Sequence, residues 1–185
     1  MPIMQVYYPE TALDDARKAD LAQRLTDALI AMEGRADTRG GRAFAWVLFT
    51  PVKPGDWFVG GRQDEQFVDP PGRFLVYVTI PEGYMNARHK GEVHAWVNAA
   101  IVAATGGSDA PDAGRSALVV IDEVTEGNWG AAGRTISLNS IAGSVGLSRG
   151  SDRFAWVQAY FAAKRRQFDA AGYPTDVGGL METVK

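Results

Sequence analysis

Apolar positions along the chain follow two rhythms, a period-two alternation and a 3.6-residue stripe, and the two occur in the same order twice. Residues 3–8 and 74–80 are short β-rich runs, each ended by a Pro-Glu pair, which reads as strand then turn. After the first run, Leu21, Leu25, Ala28, Leu29 and Met32 mark one face of an amphipathic helix that stops near Gly34. After the second, Val93, Val97, Ala100, Ile101 and Ala104 mark another that stops near Gly106. Second strands are predicted at 44–50 and 117–123, each followed by a Gly-rich turn, at 54–61 and 126–133. A further helix is predicted over about 152–171, with Phe154, Val157, Phe161 and Phe168 on or near one stripe. Ser148 and Ser151 suit its start and Gly172 its end, while Lys164, Arg165 and Arg166 read as a solvated helix end. The tail through Gly178-Gly179 reads as a docking arm or a frayed end.

The two halves are copies. An offset of 72 residues pairs Pro9 with Pro81, Lys18 with Lys90, Val47 with Val119, Trp57 with Trp129 and Arg62 with Arg134. No gap is needed between residues 2 and 134, so the chain carries a duplicated unit of about 60 residues. The units span 2–62 and 74–134 within a domain of 1–135, followed by an extension of 136–185. Each unit reads β-α-β, and a parallel crossover places its helix on one face of the sheet. The expected fold is α+β: duplicated β-α-β units in a four-stranded sheet with two helices on one face, plus a C-terminal helix.

Composition removes several chemistries. A net charge of −3 and a pI near 5.4 give no electrostatic reason to expect nucleic acid. Absence of cysteine excludes thiolate nucleophiles, disulfides and Cys-zinc sites. His89 and His94 are the only two histidines, and they do not share a helix face, which speaks against a histidine metal site. The chain begins without a basic, apolar targeting segment, and no apolar stretch approaches the roughly 20 residues of a membrane span. A cytoplasmic protein with no membrane partner is expected.

The opening Met-Pro, the duplicated unit and the phrases Gly55-Asp56-Trp57-Phe58-Val59-Gly60-Gly61 and Gly127-Asn128-Trp129-Gly130 resemble the tautomerase superfamily. The phrases are similar to 4-oxalocrotonate tautomerase; the one-chain layout is more similar to cis-3-chloroacrylic acid dehalogenase and malonate semialdehyde decarboxylase. The resemblance implies removal of Met1, with Pro2 as a catalytic N-terminal secondary amine, no cofactor, no metal and a homotrimer. An α-amino group has a reference pKa of about 7.7–8.0, and burial among apolar groups or cations lowers it, which makes a general base or acid near neutrality.

Other family positions depart from the pattern. Those of the dehalogenase family's paired arginines read Glu82 and Met85, and those of its His, Tyr and Glu read Leu29, Val120 and Ala131. The arginine positions of 4-oxalocrotonate tautomerase read Trp46 or Leu118 and Ala12 or Tyr84, and Phe74 stands where a second proline would head the second unit. Candidate substrate-binding residues are therefore Arg62 and Arg134, for a carboxylate or merely for hairpin carbonyls. Trp57 and Trp129 join them as pocket walls or subunit packing, together with Glu82 and Tyr84 after the second-unit strand. Tyr7 and Tyr8 lie on opposite faces of the first strand, so one shares Pro2's side, and Tyr8 is included. Arg39 and Arg42 read as solvated charges. Gly146-Leu147-Ser148-Arg149-Gly150 satisfies Gly-x-Ser-x-Gly, but both histidines lie upstream and no hydrolase sheet precedes it. The expected function is proton transfer on a small carbonyl or unsaturated acid by a cofactor-independent tautomerase. The alternatives are a hydratase, dehalogenase or decarboxylase of the same superfamily, and a non-catalytic trimeric binding or scaffold protein.

Overall fold

The computed structural model describes residues 2–33, 37–107, 112–146 and 148–182. Met1, Gly34 and Leu147, which figure in the expectations above, lie outside the described residues. The first unit comprises β1 (Ile3–Pro9), α1 (Asp15–Met32), α2 (Arg39–Phe44) and β2 (Trp46–Val52). The second comprises β3 (Phe74–Pro81), α3 (Ala87–Ala104), β4 (Ala117–Val124) and the small hairpin β5 (Gly130–Ala131) and β6 (Arg134–Thr135). The extension adds α4 (Leu138–Val145) and α5 (Asp152–Ala171). Two features depart from expectation. Phe44 closes α2, a short helix capped by the Thr38 hydroxyl, so the second strand starts later than predicted. In the extension, α4 is a helix too short to announce itself by periodicity.

The sheet runs β2-β1-β3-β4, with β1 parallel to β2, β3 parallel to β4, and the copies joined by antiparallel β1 and β3. Gln5 faces Tyr77, its own counterpart under the repeat, while Ile3 faces Thr79 and Tyr7 faces Leu75. An antiparallel ladder centred on equivalent residues relates the halves by a local two-fold. The helix starts repeat too: Asp14 accepts the Arg17 N–H at 2.8 Å, and Asn86 accepts that of His89 at 3.0 Å.

Alternation along the strands sends Met4, Val6 and Tyr8 of β1 and Phe74, Val76, Val78 and Ile80 of β3 under the helices. There they meet both predicted helix faces, every residue of which is buried. The opposite sheet face stays open and is apolar at its edges: Trp46 is 55% exposed and Leu118 62%. Ser151 caps α5, and Gly172, at φ 69°, ends it. No helix among the described residues is long and apolar enough to cross a membrane. Leu29 is fully buried in the central core. Its replacement by Ala should cost about 2–5 kcal/mol in denaturant unfolding, and a loss under ~1 kcal/mol would contradict this packing.

Candidate active site

Pro2 precedes β1 on the even-numbered, helix-covered side and is buried. Because β1 runs against β3, the head of β1 lies beside the end of β3, and Pro2 shares a cavity with Ile80 and Pro81. The turn beyond adds Tyr84 and Met85, and the end of α1 adds Met32 and Glu33. Leu138, Ile141 and Ala142 of α4 close it. The free volume is about 10 Å³, room for about one water. The local two-fold puts different side chains at the equivalent place. Pro2 is matched there by Phe74, 1% exposed, Ile80 by Tyr8, and Glu33 by Thr105, whose hydroxyl donates to the Ile101 carbonyl.

Glu33 is the C-cap of α1 and is 3% exposed. Burial pushes its carboxyl above the ordinary 4.5. Tyr84 is pushed up from 10, chiefly by burial; Arg153 opposes this and Glu33 adds to it, so its hydroxyl stays a proton donor at neutral pH. The Arg153 guanidinium lies 5.1 Å from the Tyr84 ring centre, and its Nη1 is buried without a hydrogen-bond partner. His89 sits nearby, its Nε2 2.9 Å from Arg88 Nη2. Burial lowers its pKa, and Arg153 and Arg88 lower it further against Glu92.

Glu82 serves a different purpose. Its carboxylate accepts from Lys164 Nζ at 2.6 and 2.7 Å, from the Tyr160 hydroxyl at 2.8 Å and from the Glu126 N–H at 3.2 Å. Lys164, expected in solvent, is thus held at 15% side-chain exposure. A Cβ on the neighbouring Gly83 (φ 69°) would run into the Tyr160 ring, so glycine there lets α5 approach the turn. The Glu126 carboxylate in turn accepts the first N–H of α4, that of Leu138, at 2.9 and 3.2 Å. The tail is a docked arm: the Gly179 N–H meets the Glu126 carbonyl at 3.1 Å, and Asn139 Nδ2 meets the Glu182 carbonyl at 2.5 Å. Glu10, the repeat partner of Glu82, shares only the backbone bond of the turn: Glu10 N–H to Val52, as Glu82 N–H to Val124.

Of the residues singled out from sequence, the structure brings Tyr84 to Pro2. Arg62 is an exposed hairpin residue ion-paired with Asp64, and Arg134 is exposed on β6. Trp57 is half-buried and its carbonyl accepts from Arg73 at 3.2 Å; Trp129 is buried. Tyr8 is in the core, edge-on to Phe49. Glu33 and Arg153 went unread, although both continue an apolar stripe: Glu33 is four residues after Leu29, and Arg153 four before Val157. A charge on a buried stripe was the available signal.

No family model and no curated sequence matches the chain. Solved structures do. A fused 4-OT described as an asymmetric trimer superposes with a TM-score of 0.58 at 20% identity, covering 72% of this chain and 94% of that one. N1, a member of the cis-3-chloroacrylic acid dehalogenase family, gives 0.58 at 17% identity over 92% of this chain and 99% of its own. Pt0534, inactivated by 2-oxo-3-pentynoate, gives 0.56 at 17% identity over 76% and 97%. The fold is that of the tautomerase superfamily, and the similarity to N1 extends beyond the duplicated domain.

Burial pushes the Glu82 carboxyl up, but the hydrogen bonds from Lys164, Tyr160 and Glu126 outweigh it and leave its pKa below 4.5. The stability it contributes is present above the unfolded value near 4.5 and is lost as pH falls through the lower folded value. The melting-temperature gap between wild type and Glu82→Gln should be widest near pH 7 and close in acid. A gap unchanged from neutrality to below pH ~4 would mean that ionisation of Glu82 adds nothing.

Proposed function

We propose that the chain is a cofactor-independent, tautomerase-like enzyme whose Pro2, freed by removal of Met1, moves a proton at a carbon beside a carbonyl. The substrate class is a small carbonyl or unsaturated acid. What carries this reading is the cavity: a buried proline at the head of β1 with one carboxyl, Glu33, and one phenol, Tyr84, among apolar walls. The walls favour the neutral amine and the Glu33 carboxylate favours the charged one, opposing pulls that bring the amine near its working range. As base, Pro2 takes the proton, and the C–H electron pair moves towards the carbonyl oxygen. The Tyr84 hydroxyl is the donor for that developing enolate, and the proton returns at another atom of the conjugated system. Arg153, cationic and short of a hydrogen-bond partner on Nη1, is the group this reading assigns to the substrate's carboxylate. The α4 wall has to yield for entry, because the cavity as it stands holds about one water.

Glu33 also favours a second reading, hydration, dehalogenation or decarboxylation. A carboxylate beside a prolinium can activate water while the prolinium stays protonated. Products from acetylenic and β-keto acids separate the two. In either, Pro2→Ala, with Met1 removal checked by mass, should lower kcat/KM by about 10²-fold or more on enolisable 2-oxo acids. The proline nitrogen should also add across the conjugated alkyne of 2-oxo-3-pentynoate, forming a C–N bond and retaining every reagent atom. The adduct belongs on the N-terminal peptide and should form with a shifted pH profile in Glu33→Gln. Unchanged turnover in the Pro2 variant would overturn the role of Pro2, and a wild type with neither turnover nor an N-terminal adduct would leave the non-catalytic binding reading standing.

The open sheet face fits a homotrimer, and fused 4-OT is described as an asymmetric trimer. Trp46, Leu48, Leu118 and Val120 are too exposed for a lone chain and would be covered there. Arg62, Arg134, Trp57 and Trp129 do not line the chain's own Pro2 cavity, so a role at substrate would fall to them across a subunit boundary. Sedimentation should give three times the 20.0 kDa chain, and Leu118→Asp should release single chains. A wild type that sediments as a single chain would refute the assembly.

A further inference from the structure

The extension holds a second concavity, separate from the Pro2 cavity and on the other side of α4. While Leu138, Ile141 and Ala142 line the Pro2 cavity, Asn139 of the same helix lines a cleft of about 510 Å³ between α5 and the tail. That volume falls within the range of small-molecule sites. Phe154 and Phe161, both under 5% exposed, and Leu180 form its apolar floor. Around them stand three guanidiniums, Arg149, Arg165 and Arg166, with Asp169 and Glu182 as the carboxylates. Among the described residues none of the three arginines is in an ion pair. Arg149 rests over the Phe154 ring, 5.9 Å from its centre, which leaves its donors for another group. Asn139 is 9% exposed and donates from Nδ2 to the Glu182 carbonyl, which ties the tail to α4 at the edge of the cleft.

We infer that this cleft binds a small amphipathic monoanion, a carboxylate on an apolar chain. Three cations against two carboxylates leave one net positive charge, which matches a single carboxylate better than a doubly charged phosphate. The planar guanidinium fork suits the head group, and the phenyl floor suits the chain. Asn139 is the polar group within reach of both the cleft and α4, so an occupant bears on the helix that closes the Pro2 cavity.

Calorimetric titration of the full chain with octanoate tests this, with butyrate, octylamine and inorganic phosphate as comparisons. Octanoate should bind once per chain, more tightly than butyrate, with octylamine silent and phosphate weaker. Arg149→Ala and the Arg165→Ala/Arg166→Ala double variant should each weaken octanoate about tenfold or more. These side chains are exposed, and circular dichroism confirms that the variants fold. Absence of octanoate heat, affinity unchanged in the arginine variants, phosphate binding as tight as octanoate, or octanoate blocking N-terminal labelling by 2-oxo-3-pentynoate with the arginines irrelevant would each overturn the proposal.

Discussion

The antiparallel pairing of β1 with β3 is the constraint on which the rest of the molecule depends. Centred on Gln5 and Tyr77, it joins two β-α-β units into one sheet and puts α1 and α3 on one face. Antiparallel strands bring the start of one beside the end of the other. Pro2 therefore meets Ile80, Pro81 and the turn that carries Tyr84. A parallel pairing would have set Pro2 beside Phe74 and left the head of β1 far from that turn. The same pairing defines an equivalent place at the other end of the ladder, where the buried aromatic rings of Phe74 and Tyr8 stand in the positions of Pro2 and Ile80.

Upon this frame the extension is fastened by charge. Lys164 and Tyr160 of α5 converge on Glu82, whose other oxygen accepts the Glu126 N–H, and the Glu126 carboxylate holds the first N–H of α4. One chain of hydrogen bonds thus runs from the turn after β3 to both extension helices. Charge-assisted bonds shielded from solvent are stronger than their exposed counterparts, and here they add direction to the burial of Leu138, Val157 and Phe161 in the core. Because α4 closes the Pro2 cavity, the shape of that cavity answers to a network that the extension completes.

Much of the fold was legible before any coordinates. Both helix faces, the strand–turn punctuation at Pro9-Glu10 and Pro81-Glu82, and the repeat with its register could be read from spacing alone. Harder to read was what each charged residue would touch. Glu82 looked like a turn residue with substrate potential and is an anchor for α5. Lys164 looked solvated and is its ion-pair partner. Glu33, at the end of a helix, looked like nothing and shares the cavity with Pro2. In each case the sequence shows a charge, and burial depends on elements far away along the chain.

By itself, then, the order of residues determined the elements and their duplication, because hydrophobic periodicity and turn chemistry act over a few residues and recur wherever the pattern recurs. Tertiary structure decided which side chains would gather around Pro2, which carboxyl would share its cavity and which would clamp the extension. Those outcomes depend on side chains far apart along the chain meeting in a low-dielectric interior, as Glu82 and Lys164 do across 82 residues. Local pattern carries no record of such meetings.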